Sequence, residues 1–179
     1  MPAGLRVRTL TEGDWPRVAA LEAEVYAPAG LSEGREALES RGRSSPATCF
    51  VLETGDRIAG YVLALPYPPS RYPDLERPEE ESFTSSPHLH LHDLVVADDL
   101  RGRGLGSRLV RHLTATARQR YEEVSLVAVG GTENFWARHG FRPDRRVELP
   151  ASYGENAVYM SSPVPGGPGG RPDAPETEG

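Results

Sequence analysis

The sequence contains no lysine, and all 20 residues counted as lysine or arginine are arginines. Phosphate loops of the Walker type need a lysine that contacts the terminal phosphates, so this class of nucleotide site is excluded. Cysteine is nearly absent as well. The single Cys49 cannot form an internal disulfide, and its position beside Phe50 and Val51 favours a buried core thiol over a nucleophile.

Long apolar segments are missing too. The longest apolar runs are far shorter than the roughly 20 residues that span a bilayer, and residues 1–14 lack the apolar stretch of a secretion signal. We therefore expect a cytoplasmic protein without a membrane partner. The length of 179 residues suits one domain with a sizeable core.

The net charge of −6 is confined to two segments. Residues 74–81 contain one arginine and five acidic residues, and residues 163–179 contain one arginine and three, so the rest of the chain is neutral. A neutral body argues against a nucleic-acid partner. Four glutamates of the first segment either attract a cationic substrate or only hydrate the surface; they are Glu76, Glu79, Glu80 and Glu81.

Three glycines within five residues stand between an apolar strand and an amphipathic helix. The strand is predicted over residues 89–97, and the apolar face of the helix consists of Leu105, Leu109, Val110, Leu113 and Ala117. Glycines let the backbone approach a ligand, and free amides at a helix N-terminus bind phosphate. The third glycine of the dinucleotide-binding motif is missing. We expect a diphosphate to contact Arg101, Gly102, Arg103, Gly104, Leu105, Gly106 and Ser107.

This segment is similar to the acetyl-CoA loop of the GNAT superfamily of N-acetyltransferases. Arg101 is followed by Gly104 three residues later and by Gly106 two residues after that, which is the family's spacing. Residues 134–141 resemble the helix that comes later in the family and the Gly-Phe pair that follows it. The resemblance covers residues 5–162. It implies an α/β GNAT fold, with a mixed and mostly antiparallel sheet and helices on both faces, and acetyl-CoA as the co-substrate.

Periodicity and turn signals predict the other elements. Further strands are expected over residues 5–9, 47–53, 57–65, 124–129, 147–153 and 157–161, with one helix from Trp15 and another over residues 32–41. Residues 66–87 include six prolines and form a long loop, which is expected to be functional or disordered. Residues 1–162 would form the domain, and the Gly/Pro-rich residues 163–179 a disordered tail.

The resemblance also implies how acetyl-CoA is held. The strand over residues 124–129 would splay from the strand over residues 89–97 and open a slot for pantetheine. The strand amides that would bind pantetheine, one of them also holding the oxyanion, belong to Leu94, Val95 and Val96. Asn134 is a further predicted contact of the co-substrate.

Three histidines alternate along the strand before the glycines. His88, His90 and His92 should share one face with Leu94 and Val96, unless a bulge intervenes. They could bind a metal, lie partly exposed, or perform acid–base chemistry, but no further converging ligand is visible and we predict no metal. The pair is similar to the His-x-His strand of aralkylamine N-acetyltransferases. That resemblance implies that His90 and His92 relay the amine proton through water.

One position departs from the family. Trp136 stands four residues before the glycine of Gly-Phe, where many GNAT enzymes have a tyrosine that protonates the CoA thiolate. An indole is no practical acid, so a packing role is favoured for Trp136. Tyr153 and Tyr159 are the alternative acids, and nothing in the sequence chooses between them.

These observations predict acetyl transfer from acetyl-CoA to a primary amine of a small molecule by direct attack. Acetylation of a protein N-terminus or lysine needs an open groove, whereas the long loop of residues 66–87 suggests a covered pocket. A non-catalytic acyl-CoA sensor is the other alternative, and Trp136 favours it. A homodimer is compatible with the sequence.

Overall fold

A seven-stranded sheet organises the protein, whose computed structural model describes residues 4–166. The strands are β1 (Arg6–Thr9), β2 (Cys49–Thr54), β3 (Arg57–Pro66), β4 (His88–Val96), β5 (Glu123–Ala128), β6 (Arg142–Pro143) and β7 (Val158–Pro163). Their spatial order is β1-β2-β3-β4-β5-β7-β6. Strands β4 and β5 pair in parallel, and the other pairs within the described range are antiparallel, which confirms the predicted mixed sheet.

Helices cover both faces of the sheet, as predicted. They are α1 (Trp15–Tyr26), α2 (Arg35–Ser44), α3 (Leu105–Ala117) and α4 (Glu133–Arg138). Trp15 of α1 and Leu38 of α2 pack in one core, whereas Leu109 and Leu113 of α3 pack in a second core on the opposite face. Cys49 is 1% exposed, and burial raises the pKa of its thiol to about 12, so the core-thiol interpretation is confirmed.

Helix α2 begins three residues later than predicted, for a reason that matters to the site. Glu22 of α1 accepts hydrogen bonds from the Ser32 hydroxyl and from the Glu33 amide, which keeps these two residues outside the helix. Gly34 then provides a positive φ of 86° immediately before α2. These hydrogen bonds tie the α1–α2 connection to α1, and they place Glu33 next to His92 of β4.

The strand predicted over residues 147–153 is wrong. The edge strand is the shorter β6, and residues 147–153 lie along the loop between β3 and β4 instead of joining the sheet. The Tyr72 hydroxyl donates to the Glu148 carbonyl at 2.5 Å, and the Tyr153 hydroxyl donates to the Pro73 carbonyl. Pro150 has no amide to donate to a strand, and a short 3-10 turn follows it.

A bulge at His92 changes which side chains in the second half of β4 point to each face of the sheet. Leu91 pairs with Ala64 and Asp93 pairs with Leu63, so His92 has no partner residue in β3. The extra residue reverses the alternation. Leu94 and Val96 consequently pack with the α3 core, and the predicted sharing of one face with the histidines is wrong.

The last strand extends beyond the predicted end of the domain. Strand β7 ends at Pro163, and Val164 is 3% exposed and packs in the α3 core. Residues 167–179, which make up most of the predicted tail, lie outside the described residues. Among residues 4–166, the longest helices are too short or too polar to cross a membrane.

Candidate active site

The parallel strands β4 and β5 separate halfway along their length. Their pairing runs from His88 with Glu123 to Leu91 with Leu126 and then stops. The predicted splay is confirmed, and a cavity of about 950 Å³ opens at that point. Beyond the bulge, the cavity is lined by Leu94, Val95 and Val96, whose amides are the predicted pantetheine contacts. One edge of this part of β4 is free of β5, so its backbone groups are available to a ligand.

Residues 101–107, which we call the glycine segment, form one end of the cavity, and we call this the coenzyme end. Gly102 and Gly104 have positive φ angles of 80° and 74°, and Gly104 leads directly into α3. No side chain in residues 4–166 caps this helix, so its first amides are free to bind an anion. The predicted residues that line the cavity here are Arg101, Gly102, Gly104, Leu105, Gly106 and Ser107.

Gly106 keeps the floor of this end open. A Cβ at this position would lie 3.4 Å from Phe135 Cζ and 3.6 Å from Leu94 Cδ2, so a larger side chain would press against these two residues of the cavity wall. The glycines, the free helix amides and Arg101 fit a diphosphate, and the slot beside β4 fits an extended pantetheine chain. Acetyl-CoA therefore suits the residues at this end.

Two predicted contacts of the co-substrate do not line the cavity. Arg103 and Asn134 are both exposed and lie outside its walls. The α4 region instead contributes Trp136, which the sequence placed at the family's tyrosine position, and three side chains that sequence reasoning missed, namely Phe135, Arg138 and His139. His139 Nε2 lies 3.0 Å from the Ser107 hydroxyl, so α4 is joined to the glycine segment. Helical spacing from Trp136 would have identified His139, which is three residues further on.

Trp136 is packed on both sides by aromatic rings. Its ring centroid lies 4.9 Å from that of Phe135 and 5.6 Å from that of Phe141, both in edge-to-face geometry, and the residue is 7% exposed. These contacts are consistent with a packing role. Trp136 also lines the cavity.

The other end of the cavity holds a cluster of buried ionisable side chains. Its lining combines Glu22, Glu33, His92 and Asp93 with Tyr26 and Tyr153, and the apolar wall consists of Val25, Ala29, Leu31 and Leu75. We call this part the acceptor end. Its residues come from α1, the α1–α2 connection, the β3–β4 loop, the bulge of β4 and the turn before β7.

A chain of charged contacts runs from His92 into the β3–β4 loop. His92 Nε2 lies 2.6 Å from Glu33 Oε2, and Arg41 donates to Glu33 at 2.7 Å and to Glu79 at 2.6 Å. Arg41 also donates to the Asp74 carbonyl at 2.7 Å. All four side chains are at most 6% exposed. Although burial opposes it, contacts with His92 and Arg41 lower the pKa of Glu33, which is therefore ionised.

The acidic segment of residues 74–81 is thus only partly a hydrated surface. Glu79 is held in the buried contact with Arg41, whereas Glu76, Glu80 and Glu81 are exposed. The contact fixes the loop against α2 and places Leu75 in the wall of the cavity.

Asp93 occupies a different environment, next to the histidine bulge. Its carboxylate accepts hydrogen bonds from Tyr26 at 2.9 Å and from Tyr61 at 2.6 Å. Burial is the main cause that raises its pKa to about 7. A carboxyl group that is half-ionised near neutral pH therefore lines the cavity.

The three histidines of β4 lie in three environments. His92 lines the cavity, but His90 does not: it is 1% exposed, and its Nδ1 lies 3.0 Å from the Ser125 hydroxyl. Burial holds the pKa of His90 well below its usual range. His88 is half-buried, and its Nδ1 lies 3.7 Å from Glu123.

The two tyrosines considered as acids also differ. Tyr153 lines the cavity, and burial raises the pKa of its hydroxyl, which donates to the Pro73 carbonyl. Tyr159 is 3% exposed and lies outside the cavity walls, and its hydroxyl accepts from the Ser70 amide at 2.9 Å.

A cavity with a phosphate-binding helix end on one side and proton-accepting groups on the other is typical of transferases that use an acyl-CoA. The sequence model described as the acetyltransferase (GNAT) family matches residues 15–141, which is well over half of the chain. The protein therefore belongs to the GNAT acetyltransferase family and uses acetyl-CoA as its co-substrate. No curated protein matches the sequence significantly.

Solved structures with the same fold are distant in sequence. The loading GNATL domain of CurA from Lyngbya majuscula is 18% identical over 90% of this chain and 98% of that one, with a TM-score of 0.73. Ard1 from Thermoplasma volcanium is 18% identical over 89% and 97%, with a TM-score of 0.67. N-acetylglutamate synthase from Neisseria gonorrhoeae, complexed with coenzyme A and N-acetyl-glutamate, is 21% identical over 90% and 35%, with a TM-score of 0.66.

Proposed function

We propose that the protein transfers the acetyl group of acetyl-CoA to a primary amine of a small molecule by direct attack. The single observation that carries this proposal is the continuity of the cavity, which joins the glycine segment to His92, Glu33 and Asp93. An amine at the acceptor end would meet the acetyl thioester where β4 and β5 separate. Holding the two reactants in one cavity supplies much of the acceleration that a direct transfer needs.

His92 is the proposed proton acceptor. Because the Glu33 carboxylate can only accept, the neutral imidazole carries its proton on Nε2 and leaves the lone pair on Nδ1. This Nδ1 is buried and has no partner within residues 4–166. Once an acceptor is bound, this unpartnered nitrogen is the proposed acceptor of the amine proton, and Glu33 would stabilise the imidazolium that results.

The proton balance of the reaction is simple. An ammonium substrate gives one proton to His92, and the freed lone pair forms the N–C bond while the C–S bond breaks. The amide nitrogen then loses a second proton, the CoA sulfur takes up one proton, and one is released to solvent. An amide of the free part of β4, at Leu94 to Val96, is the proposed oxyanion donor.

His90 is proposed as the second member of the relay. Its ring centroid lies 6.4 Å from that of His92, and it is separated from the cavity. Its depressed pKa favours a neutral imidazole that passes a proton on rather than storing one. This role, like the narrower similarity to aralkylamine N-acetyltransferases, rests on the His-x-His pattern.

A small acceptor is favoured over a protein acceptor by the β3–β4 loop. Arg41 and Tyr153 hold this loop at Asp74 and Pro73, and Leu75 closes part of the acceptor end. A polypeptide substrate would need an open groove at that place. The non-catalytic alternative, a sensor of acyl-CoA, would bind acetyl-CoA without turning over any amine.

Release of free thiol from acetyl-CoA tests the proposal across arylalkylamines, polyamines, amino acids and peptides. On the best amine, His92→Ala should lower kcat/KM by roughly tenfold to a thousandfold, with unchanged affinity for acetyl-CoA. His88→Ala is the matched control, since it lies on the same strand outside the cavity walls, and should stay within about twofold. Saturable acetyl-CoA binding without turnover of any amine would favour the sensor.

A further inference from the structure

The acceptor end contains two buried carboxyl groups that form no salt bridge within residues 4–166. Glu22 is 1% exposed and accepts from the Ser32 hydroxyl and the Glu33 amide, and Asp93 accepts from two tyrosine hydroxyls. Within the described chain, neither takes part in a salt bridge, in contrast to Glu33 and Glu79, which share Arg41. Buried carboxylates are costly unless a positive charge compensates them.

The two groups belong to one site. Tyr26 lies one helical turn after Glu22 and donates to Asp93, and the charges of Asp93, Glu22 and Glu33 all raise its pKa after burial itself. All of these residues line the cavity together with His92, whose buried Nδ1 is unpartnered within residues 4–166. An acidic cluster and an unpartnered imidazole nitrogen thus belong to the same site.

Positive charge lies at the opposite end. The arginines in the cavity lining are Arg101, beside the glycine segment, and Arg138, in α4. The acceptor end around Glu22 and Asp93 is lined by Glu33, His92, two tyrosines and apolar side chains, and Arg41, which contacts Glu33, is also held by Glu79. A carboxylate on the acceptor would therefore find no partner there.

We propose that the acceptor binds as an ammonium ion with an apolar body and without a carboxylate, its nitrogen held between Glu22 and Asp93. This inference rests on the proposed function, because it names the class of amine for the same site. The ammonium supplies the missing counter-charge, and Val25, Leu31 and Leu75 contact the apolar body. Free amino acids are excluded by like charge.

Matched acceptors test the charge rule in the unmodified enzyme. 2-Phenylethylamine and L-phenylalaninamide should both be acetylated, whereas L-phenylalanine should have a kcat/KM at least about a hundredfold lower, since like charges at one site cost several kcal/mol. The amide has nearly the size of the acid but no negative charge. Equal turnover of acid and amide would overturn the inference, as would faster turnover of the polar 1,4-diaminobutane than of 2-phenylethylamine.

A variant pair tests the residue. Glu22→Gln should raise KM for 2-phenylethylamine by about tenfold to a hundredfold, the value of one hydrogen bond to a charged group, with little change in kcat. Glu24→Gln is the control, because Glu24 is exposed on the same helix. Acetyl-CoA affinity reports folding in both. An unchanged KM in a folded Glu22→Gln protein would also overturn the inference, whereas no turnover of any amine would instead reject the proposed function.

Discussion

The two ends of the cavity are built in opposite ways. At the coenzyme end, one contiguous stretch, residues 101–107, offers backbone amides and exposed side chains. At the acceptor end, side chains from five separate segments meet, and those of Glu33, Arg41, Glu79 and His92 are at most 6% exposed. A backbone site needs few particular side chains, whereas a buried side-chain site depends on every partner.

The largest effect we expect concerns the acceptor end. Arg41→Met leaves Glu33 and Glu79 buried without their cation, and should lower the free energy of unfolding by about 3–5 kcal/mol. Chemical denaturation measures this. Arg43→Met is the matched control two residues further along α2, because Arg43 is 58% exposed and its surface ion pairs should change the free energy of unfolding much less.

A second variant separates charge from packing in the same network. This triple variant adds Glu33→Gln and Glu79→Gln to Arg41→Met. It should recover part of the lost stability, since no unpaired charge is then buried. Equal stability of Arg41→Met and Arg43→Met would show that the acceptor end does not depend on this network.

The next effect concerns the coenzyme end. Gly104→Val should weaken acetyl-CoA binding at least about a hundredfold, because the side chain enters the path of the diphosphate where close backbone approach is needed. Gly55→Val is a control with the same conformational strain: both glycines have positive φ, 74° and 59°, and open space around them. Calorimetry should find normal affinity in Gly55→Val, and normal affinity in a folded Gly104→Val would remove the phosphate site from this segment.

The contrast between the ends also explains what the sequence could predict. The glycine segment, the strand before it and the helix after it are contiguous, so spacing alone identified six of the residues that line the cavity: Arg101, Gly102, Gly104, Leu105, Gly106 and Ser107. The mixed sheet with helices on both faces followed from the same family pattern. Local periodicity carries this information because each element packs through its own repeat.

Most of the acceptor end could not be predicted from the sequence, for a physical reason. Glu22 and Glu33 are ordinary charged residues of a helix and a turn in the sequence, and only tertiary contact with the β4 bulge buries them. The bulge itself left no signal in the alternation of the histidines. His92 was predicted from the resemblance of its strand to a His-x-His pattern and does line the cavity. Glu33 and Asp93 were missed because a carboxylate beside an apolar strand is more often exposed.

A smaller effect on stability is expected from pH. The pKa of Asp93 is raised from 3.8 to about 7 by folding, so between these values the folded protein holds a proton that the unfolded chain has lost. The contribution of Asp93 to the free energy of unfolding is fully present below pH 3.8. It declines as pH rises towards 7, by at most about 1.4 kcal/mol per pH unit.

The measurement is the difference in unfolding free energy between the wild type and Asp93→Asn from pH 4 to pH 7. Groups with lowered pKa values that do not interact with Asp93, such as Asp14, act in the opposite direction but are common to both proteins and cancel. The advantage of the wild type should shrink as pH rises. A difference independent of pH would mean that Asp93 is ionised throughout, like Glu33.

The smallest effect is expected at Trp136 of α4, in the wall of the cavity. Trp136→Phe should keep kcat within about threefold, because an aromatic ring preserves the edge-to-face contacts with Phe135 and Phe141, and an indole N–H has no practical acidity to lose. Acetyl-CoA affinity and thermal unfolding show whether the cavity stays intact. A loss of kcat above about tenfold in a folded variant with normal acetyl-CoA affinity would instead assign the indole N–H a hydrogen bond that matters in the transition state. The coenzyme end would then contribute a side chain to the chemistry, and the division between a backbone site and a side-chain site would no longer hold.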